Sequence, residues 1–572
     1  MTKKIKLLSL LICIGLLSGC GKTKESTPNT EDANTPTPTS DVSTLPDEEE
    51  VDIKESVDTT AIEPIVINVQ EYYDNIWDEE TGKLIFELHT AGITTDGDKY
   101  PKLAQSLQKF SKDHMAMMTE QRDRTDIIEE DDEFFETGNY SSVWDISVNR
   151  ADTKMLSFDV QYYSYLGGAH GYYSNGGYTY DTASGKLLTL KDVITDLPKL
   201  EEIVLKKLSD ISEEYGLYDD YEAGIKSEIS EGDGPYINWD FDNNGMNIWF
   251  NPYDIAPYAS GIVSINIKYN EYPNLINEQY CLSENKNADI ITELGNYGML
   301  YEIDLDNDGQ DELITIEQDI SYAEDENGDY YDTGVEVTVS VGKTQEDLEN
   351  HSVRLGQNYR LNKPYIVTSE EGKHYVYIEY NSFAYGNDLV VVDINDLENG
   401  PTFVDWVPYG APYNMPISNA DCFYLCRQVY MMGAYEAYRR YKVGKDGMPE
   451  PLDDEYIILP SEPQRLFGIK DGLPMKQEFI EDKTLTLIKP LRFYYSYASK
   501  DDKTKGEYKT YDKDQMLYPV YTDGETYITF ITEDGTYIDL KYDDVIDGDW
   551  GMRIQGYSDY QLLKGSLYMG YC

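Results

Sequence analysis

The chain has 572 residues, of which 107 are acidic and 47 basic, for a formal net charge of −60. That length exceeds what one hydrophobic core organises and predicts roughly two to four domains. The charge repels phosphate backbones and so excludes nucleic acid as a partner, while it favours cationic ones: divalent metals, basic peptides, basic proteins. Tyrosine is over-used, with 53 copies against 14 Phe. Its apolar body and polar tip suit half-buried strands and also sugar- or protein-contacting surfaces.

In chain order, Lys3, Lys4 and Lys6 precede an apolar run from Leu7 to Leu17. The run is too short to span a bilayer and has the flanks of a cleaved export signal. It ends in Leu17-Ser18-Gly19-Cys20, which resembles the lipobox of bacterial lipoproteins. The resemblance implies that residues 1–19 are a signal peptide and that Cys20 carries a diacylglycerol thioether with palmitate-type chains. The remainder is then an extracytoplasmic lipoprotein of the cell membrane. Residues 20–63 read as the lipidated cysteine and a disordered tether. They are rich in Thr, Ser, Pro, Asp and Glu, and no aromatic residue occurs between Gly21 and Gln70. Such a segment has too little apolar surface to fold, and as a coil it reaches roughly 35 Å.

Folding is expected from Pro64. Ile65–Val69 and Lys83–His89 read as strands. Pro101–Gln121 reads as a helix with Leu103, Leu107, Phe110 and Met117 on one face. Strands follow in SVWDISVNRA and MLSFDVQYYSYL. Leu197–Leu217 is a second helix, with Leu200, Val204, Leu208 and Ile211 three or four apart, and strands at Asn247–Phe250 and Gly261–Tyr269 close the unit. The expected fold of residues 64–280 is therefore α+β, a mixed sheet with two or more helices.

Residues 288–462 change character. GVEVTVSV, HYVYIEY and DLVVVDI are short, β-branched or alternating, and separated by turn residues. They predict a mainly-β, propeller- or sandwich-like region. Residues 463–572 predict a small SH3-like barrel. Its clearest part is the string YPVYTDGETYITFITEDGTYIDLKY, where Asp523-Gly524 and Asp534-Gly535 punctuate three strands. Beyond Cys20 and the signal, Cys281, Cys422, Cys426 and Cys572 permit two disulfides in any of three pairings. Cys422 and Cys426 lack a second pair or His at zinc spacing.

Three strings occur in order: LGGAHGYY at 166–173, YDTASGKLLTLKDV at 180–193 and FNPYDIAPYASG at 250–261. Gly167, Gly168 and Gly171 permit a sharp, closely packed turn. Asn251-Pro252-Tyr253 and Pro257-Tyr258 form a kinked aromatic segment. His170 has the chemistry of a base or metal ligand, yet no second His stands at ligand spacing, and a lone His in a tight turn reads as a hydrogen-bonded structural residue. The set resembles the DUF3298 domain, usually preceded by DUF4163, of sigma-V-type anti-sigma factors and some peptidoglycan deacetylases. The resemblance covers about residues 60–275 and implies an extracellular module. In the anti-sigma relatives that module binds lysozyme, a strongly basic protein. In the deacetylases the activity lies in a separate domain with Asp and His metal motifs that this chain lacks.

Asp304, Asp306, Asp308 and Glu312 fall at positions 1, 3, 5 and 9 of a loop with Gly309 at position 6. Odd-position carboxylates converge on a hard cation, and the Gln310 carbonyl would add position 7. The EF-hand Glu at position 12 is replaced by Thr315, so the loop looks more like the aspartate loops of integrin-type β repeats, with one structural Ca²⁺ as the expected cofactor. An acidic turn without metal is the alternative. Asp325–Asp329 reads as a turn. The chain has no GxSxG, HExxH or P-loop, and no catalytic residue is assigned. The expected function is that of a non-catalytic, lipid-anchored surface protein that binds an envelope-associated or cationic ligand, a lysozyme-like protein or a cell-wall component. The alternatives are an envelope enzyme acting on peptidoglycan or other glycans, and a passive spacer.

Overall fold

The computed structural model describes residues 62–564 except 74, 78–83, 124–139, 168, 232–236, 283–287, 291–298, 307, 325–329, 356–359, 383–385, 408–409, 411–414, 433, 459–464, 471–472, 480–484, 488–490, 499, 533, 543–552 and 556. The chain is multidomain and mostly β, with several separate sheets and few helices. Among the described residues no helix is long and apolar enough to cross a membrane.

The first sheet contains β1 (Ile67–Tyr73), β2 (Ile76–Trp77), β3 (Leu84–Thr95), β4 (Tyr140–Ala151), β5 (Met155–Tyr165) and β6 (Tyr172–Asp181). Its order is β1-β3-β4-β5-β6, with β2 beside β3. It is mixed as expected: β3 and β4 are parallel and the other pairs antiparallel. Helix α1 (Pro101–Asp123) covers one face. Leu103, Leu107 and Phe110 are buried there, and the Phe110 ring meets Phe158 and Tyr178 edge-on. The side chain that closes this stripe is Met118, buried, while the expected Met117 packs at its margin.

A second layer follows. The short α2 (Leu190–Val193) leads into α3 (Leu197–Tyr215) and α4 (Tyr221–Glu231). Asp196 caps α3 by accepting the Lys199 N–H, and Gly216 ends it in the left-handed region at φ 60°. These helices share a core with the antiparallel sheet β7 (Asn238–Phe241), β8 (Gly245–Phe250) and β9 (Val263–Lys268). Helix α4 gave no clear periodic signal in the sequence.

The β-rich region is two sheets. One is β10 (Ala288–Ile290) with β15 (Arg360–Thr368), β16 (His374–Ser382), β17 (Gly386–Asp393) and β18 (Thr402–Val407). The other is β11 (Met299–Ile303), β12 (Glu312–Glu324), β13 (Tyr330–Gly342) and β14 (Ser352–Leu355), with the short α5 (Gln345–Asn350) after β13. Ile314, Ile316, Val337, Val339 and Val341 of one sheet pack against Ile366, Val376, Ile378 and Val392 of the other.

The hairpin Phe423–Tyr430/Ala434–Val443 ties the regions together because both of its faces are buried. Tyr424, Cys426 and Tyr438 join the core of the first sheet. Phe423, Leu425, Tyr441 and Val443 join Tyr365 and Tyr377. Val429, Tyr435 and Ala437 join the C-terminal core. The predicted meander is present as Met516–Thr522, Tyr527–Thr532 and Tyr537–Lys541, with Gly524 and Gly535 at positive φ in its turns. No described sheet closes into the expected SH3-like barrel. The meander is flanked by Tyr456–Ile458 on one side and Leu491–Tyr497 on the other, so it continues into an open eleven-stranded sheet that also carries the hairpin.

Candidate functional site

The glycine-rich turn and the kinked aromatic segment, far apart in sequence, meet at the β5–β6 end of the first sheet. Gly167 takes φ 88° where the chain leaves β5. A Cβ on Gly171 would lie 2.6 Å from the Tyr163 ring, so only glycine lets that ring lie over the backbone. Tyr258 donates its hydroxyl to the Gly171 carbonyl at 2.7 Å, and His170 Nδ1 stands 2.8 Å from the same oxygen. For both contacts to hold, Nδ1 carries the proton. The imidazole stacks on Tyr258 at 4.1 Å between centroids, with Tyr173 at 5.4 Å and Tyr253 at 5.7 Å from the same tyrosine. Tyr163, His170 and Tyr253 are exposed. The result is a solvent-facing platform of tyrosine rings around one histidine.

Its support is stiff. Asn251 clasps the backbone of Asn175, Pro252 is buried beneath, and Pro257 leads into a 3₁₀ turn that ends at Gly261. Tyr253 adopts φ 74°, left-handed backbone that a tyrosine seldom takes. Asp254 accepts the Asn251 N–H at 2.7 Å, and burial pushes its carboxyl up to about 7, with the nearby Glu228 adding to the shift. The platform thus offers π-faces beside the Asp254 carboxyl.

The aspartate loop joins β11 to β12, flanked by strands as expected. Asp304, Asp306 and Glu312 bring one oxygen each to within 4.8 Å of one another. Asp304 accepts the N–H groups of Asp308 and Gly309, Asp308 accepts that of Gln310, and buried Glu312 accepts that of Leu305. Asp308 faces the group through Lys343, whose ammonium lies 2.7 Å from both Asp306 and Asp308 and 3.3 Å from Glu312. The sequence reading missed Lys343. The hairpin register, which pairs Leu313 with Gly342, sets Lys343 beside Glu312. This is the one described group of His, Cys, Asp and Glu side chains spaced for a metal ion, and His170 is not in it.

A third cluster gave no motif. Asn149 donates to Asp159 and to Asp240, and Asn247 donates to Asp240 and Asp242, so that the Asn149–Asp240 contact joins the two layers. Burial, then the neighbouring Asp159 carboxylate, pushes Asp240 up to about 8. Beside it the wholly buried Arg150 pairs with Asp152 at 2.7 Å and donates to Tyr269 and the Tyr280 carbonyl.

Among the described residues neither Cys281 nor Cys422 is bridged, and burial pushes the Cys422 thiol up to about 11. Four residues of extended strand put Cys422 and Cys426 roughly 13 Å apart, too far for a bridge, which removes one of the three pairings. Cys20, Gly168, Cys572, residues 1–61 of the signal and tether, and the Asp325–Asp329 turn lie outside the described residues.

Comparison with known proteins places two matches on this α+β region. Residues 190–270 match the family model described as protein of unknown function (DUF3298). Residues 92–173 match the model described as deacetylase PdaC. Similar solved structures include a DUF3298 family member from Bacteroides fragilis, 18% identical, with 38% of this chain and 96% of that chain covered and a TM-score of 0.28. Another is a DUF3298 family protein from Pseudomonas aeruginosa, 14% identical, with 39% and 98% covered and a TM-score of 0.25. No curated protein matches the chain.

Proposed function

We propose that this chain is a non-catalytic binding protein, displayed outside the cytoplasm by lipidated Cys20 and its tether, whose Tyr163–His170–Tyr253–Tyr258 platform receives a basic, envelope-associated ligand such as a lysozyme-like protein. The observation that carries the reading is the exposed ring platform itself, built from two distant strings and braced by strained backbone. Exposed tyrosine faces attract Lys and Arg side chains by cation–π contact, and the net charge of −60 draws a basic protein from solution. The β modules, sandwich-like at residues 288–407 and SH3-like only in their local meander, serve as spacer and additional surface.

Binding of egg-white lysozyme to the purified chain, measured across a salt series, tests this. The expected result is binding at low ionic strength that weakens with salt and is lost in Tyr253→Ala. Absence of binding at low salt removes the ligand. Release of product from cell-wall fragments would instead favour an envelope enzyme, the rival reading. The name of the family model matched at residues 92–173 keeps that rival in play.

A further inference from the structure

We propose that the β11–β12 loop is a divalent-cation site of the Ca²⁺ type and that Lys343 is its built-in competitor, the ammonium and the metal ion alternating among the same carboxylates. The proposal is independent of the platform and its ligand.

Glu312 has a buried oxygen without a hydrogen bond. Its side chain is fully buried, and one oxygen accepts the Leu305 N–H. The other, Oε1, accepts no hydrogen bond and has only the Lys343 ammonium 3.3 Å away. A buried carboxylate oxygen is ordinarily hydrogen-bonded or bound to metal. One Glu312 carboxylate oxygen lies within 4.8 Å of an oxygen of Asp304 and of Asp306. Oxygens bound to one Ca²⁺ at about 2.3–2.6 Å lie no more than roughly 5 Å apart, so the three already fall on a single coordination sphere.

Lys343 shows that this seat takes positive charge. Its ammonium reaches three of the four acids yet neutralises only one of their charges. It stands on a flexible, half-exposed stem at the start of a turn, where it swings out without disturbing β13. A doubly charged ion of oxygen preference replaces it with a better charge balance. Metal affinity is then set partly by the cost of expelling the lysine.

Calorimetric titration of the full chain with CaCl2 tests both halves. The wild type is expected to show one site of unit stoichiometry above the diffuse binding of an acidic surface. Lys343→Gln is expected to tighten that site by about tenfold. Glu312→Gln is expected to abolish it, with folding checked by circular dichroism. If Glu312→Gln does not fold, Asp306→Asn at the exposed rim takes its place. No unit-stoichiometry site in wild type and Lys343→Gln overturns the metal site. Equal affinity in those two proteins overturns the competition, and a site that survives in Asp306→Asn overturns the ligand set.

Discussion

Asn251 pairs with Asn175 as one strand residue pairs with another: its Oδ1 accepts the Asn175 N–H at 2.7 Å and its Nδ2 donates to the Asn175 carbonyl at 3.1 Å. The amide thereby imitates a peptide group and fastens the kinked segment to β6. A carboxylate of the same shape keeps the acceptor and loses the donor, and sets oxygen against oxygen. Asn251→Asp is therefore expected to cost about 1–3 kcal/mol near neutral pH, the range for a buried polar group left unsatisfied. Part of the loss returns on acidification, when the protonated carboxyl donates again. Urea unfolding at two pH values checks this, and a variant as stable as wild type at neutral pH would show the clasp to be dispensable.

The strain at Tyr253 separates binding from folding. Left-handed backbone costs a non-glycine residue about 1–2 kcal/mol, while glycine gives up about 0.5–1 kcal/mol of chain entropy on ordering. The Tyr253 ring is 53% exposed and loses little packing. Tyr253→Gly is therefore expected to unfold within about 1 kcal/mol of wild type, yet to lose lysozyme binding. A large fall in melting temperature would mean that the ring holds the fold together.

Much of the architecture was legible where periodicity and turn chemistry act locally. The α1 stripe, the mixed sheet and the Asp523-Gly524/Asp534-Gly535 meander follow from short-range pattern. The Gly167 turn was legible too, although the string could not say that Tyr258 would land on His170. What stayed hidden depends on partners distant in sequence. The hairpin from Phe423 mixes apolar residues with Arg427, Gln428, Glu436, Arg439 and Arg440, and nothing in it names the three cores it serves. Lys343 lies far from the aspartate loop, and only the β12–β13 register brings it there. The Asn149–Asp240 cluster is spread over four strands and looks, residue by residue, like ordinary acidic surface.

That cluster makes stability depend on pH. Asp240 holds its proton in the folded chain up to about 8, against about 3.9 for an unfolded aspartate. The folded state binds the extra proton, so this contribution is fully present below the unfolded value. It declines as pH rises toward the folded value, by at most about 1.4 kcal/mol per pH unit, and is gone above it. Asn mimics the protonated acid and does not titrate. Between pH 5 and 8, Asp240→Asn is expected to gain stability steadily relative to wild type. Parallel pH profiles for the two proteins would place the proton elsewhere.

The seam between the two layers depends on one missing side chain. At Gly177 of β6 a Cβ would sit 2.0 Å from the Trp239 carbonyl oxygen, closer than atoms approach, and the obstacle is backbone that has no rotamer to offer. Ser157 and Phe241 lock the same seam through a buried hydrogen bond at 2.8 Å. Gly177→Ala must therefore move β7 as a whole. Overpacking of this kind costs about 1–3 kcal/mol. Arg150 reaches the same layer through Tyr269, whose hydroxyl donates to the Asp242 carbonyl just past β7, and removing one partner of its buried pair with Asp152 costs about 3–5 kcal/mol. The expected order of stability is wild type, then Gly177→Ala, then Arg150→Met. Since both changes act on one seam, the double variant is expected to lose less than the two losses added together. Strict additivity in a double-mutant cycle would show that the close approach at Gly177 and the ion pair are independent.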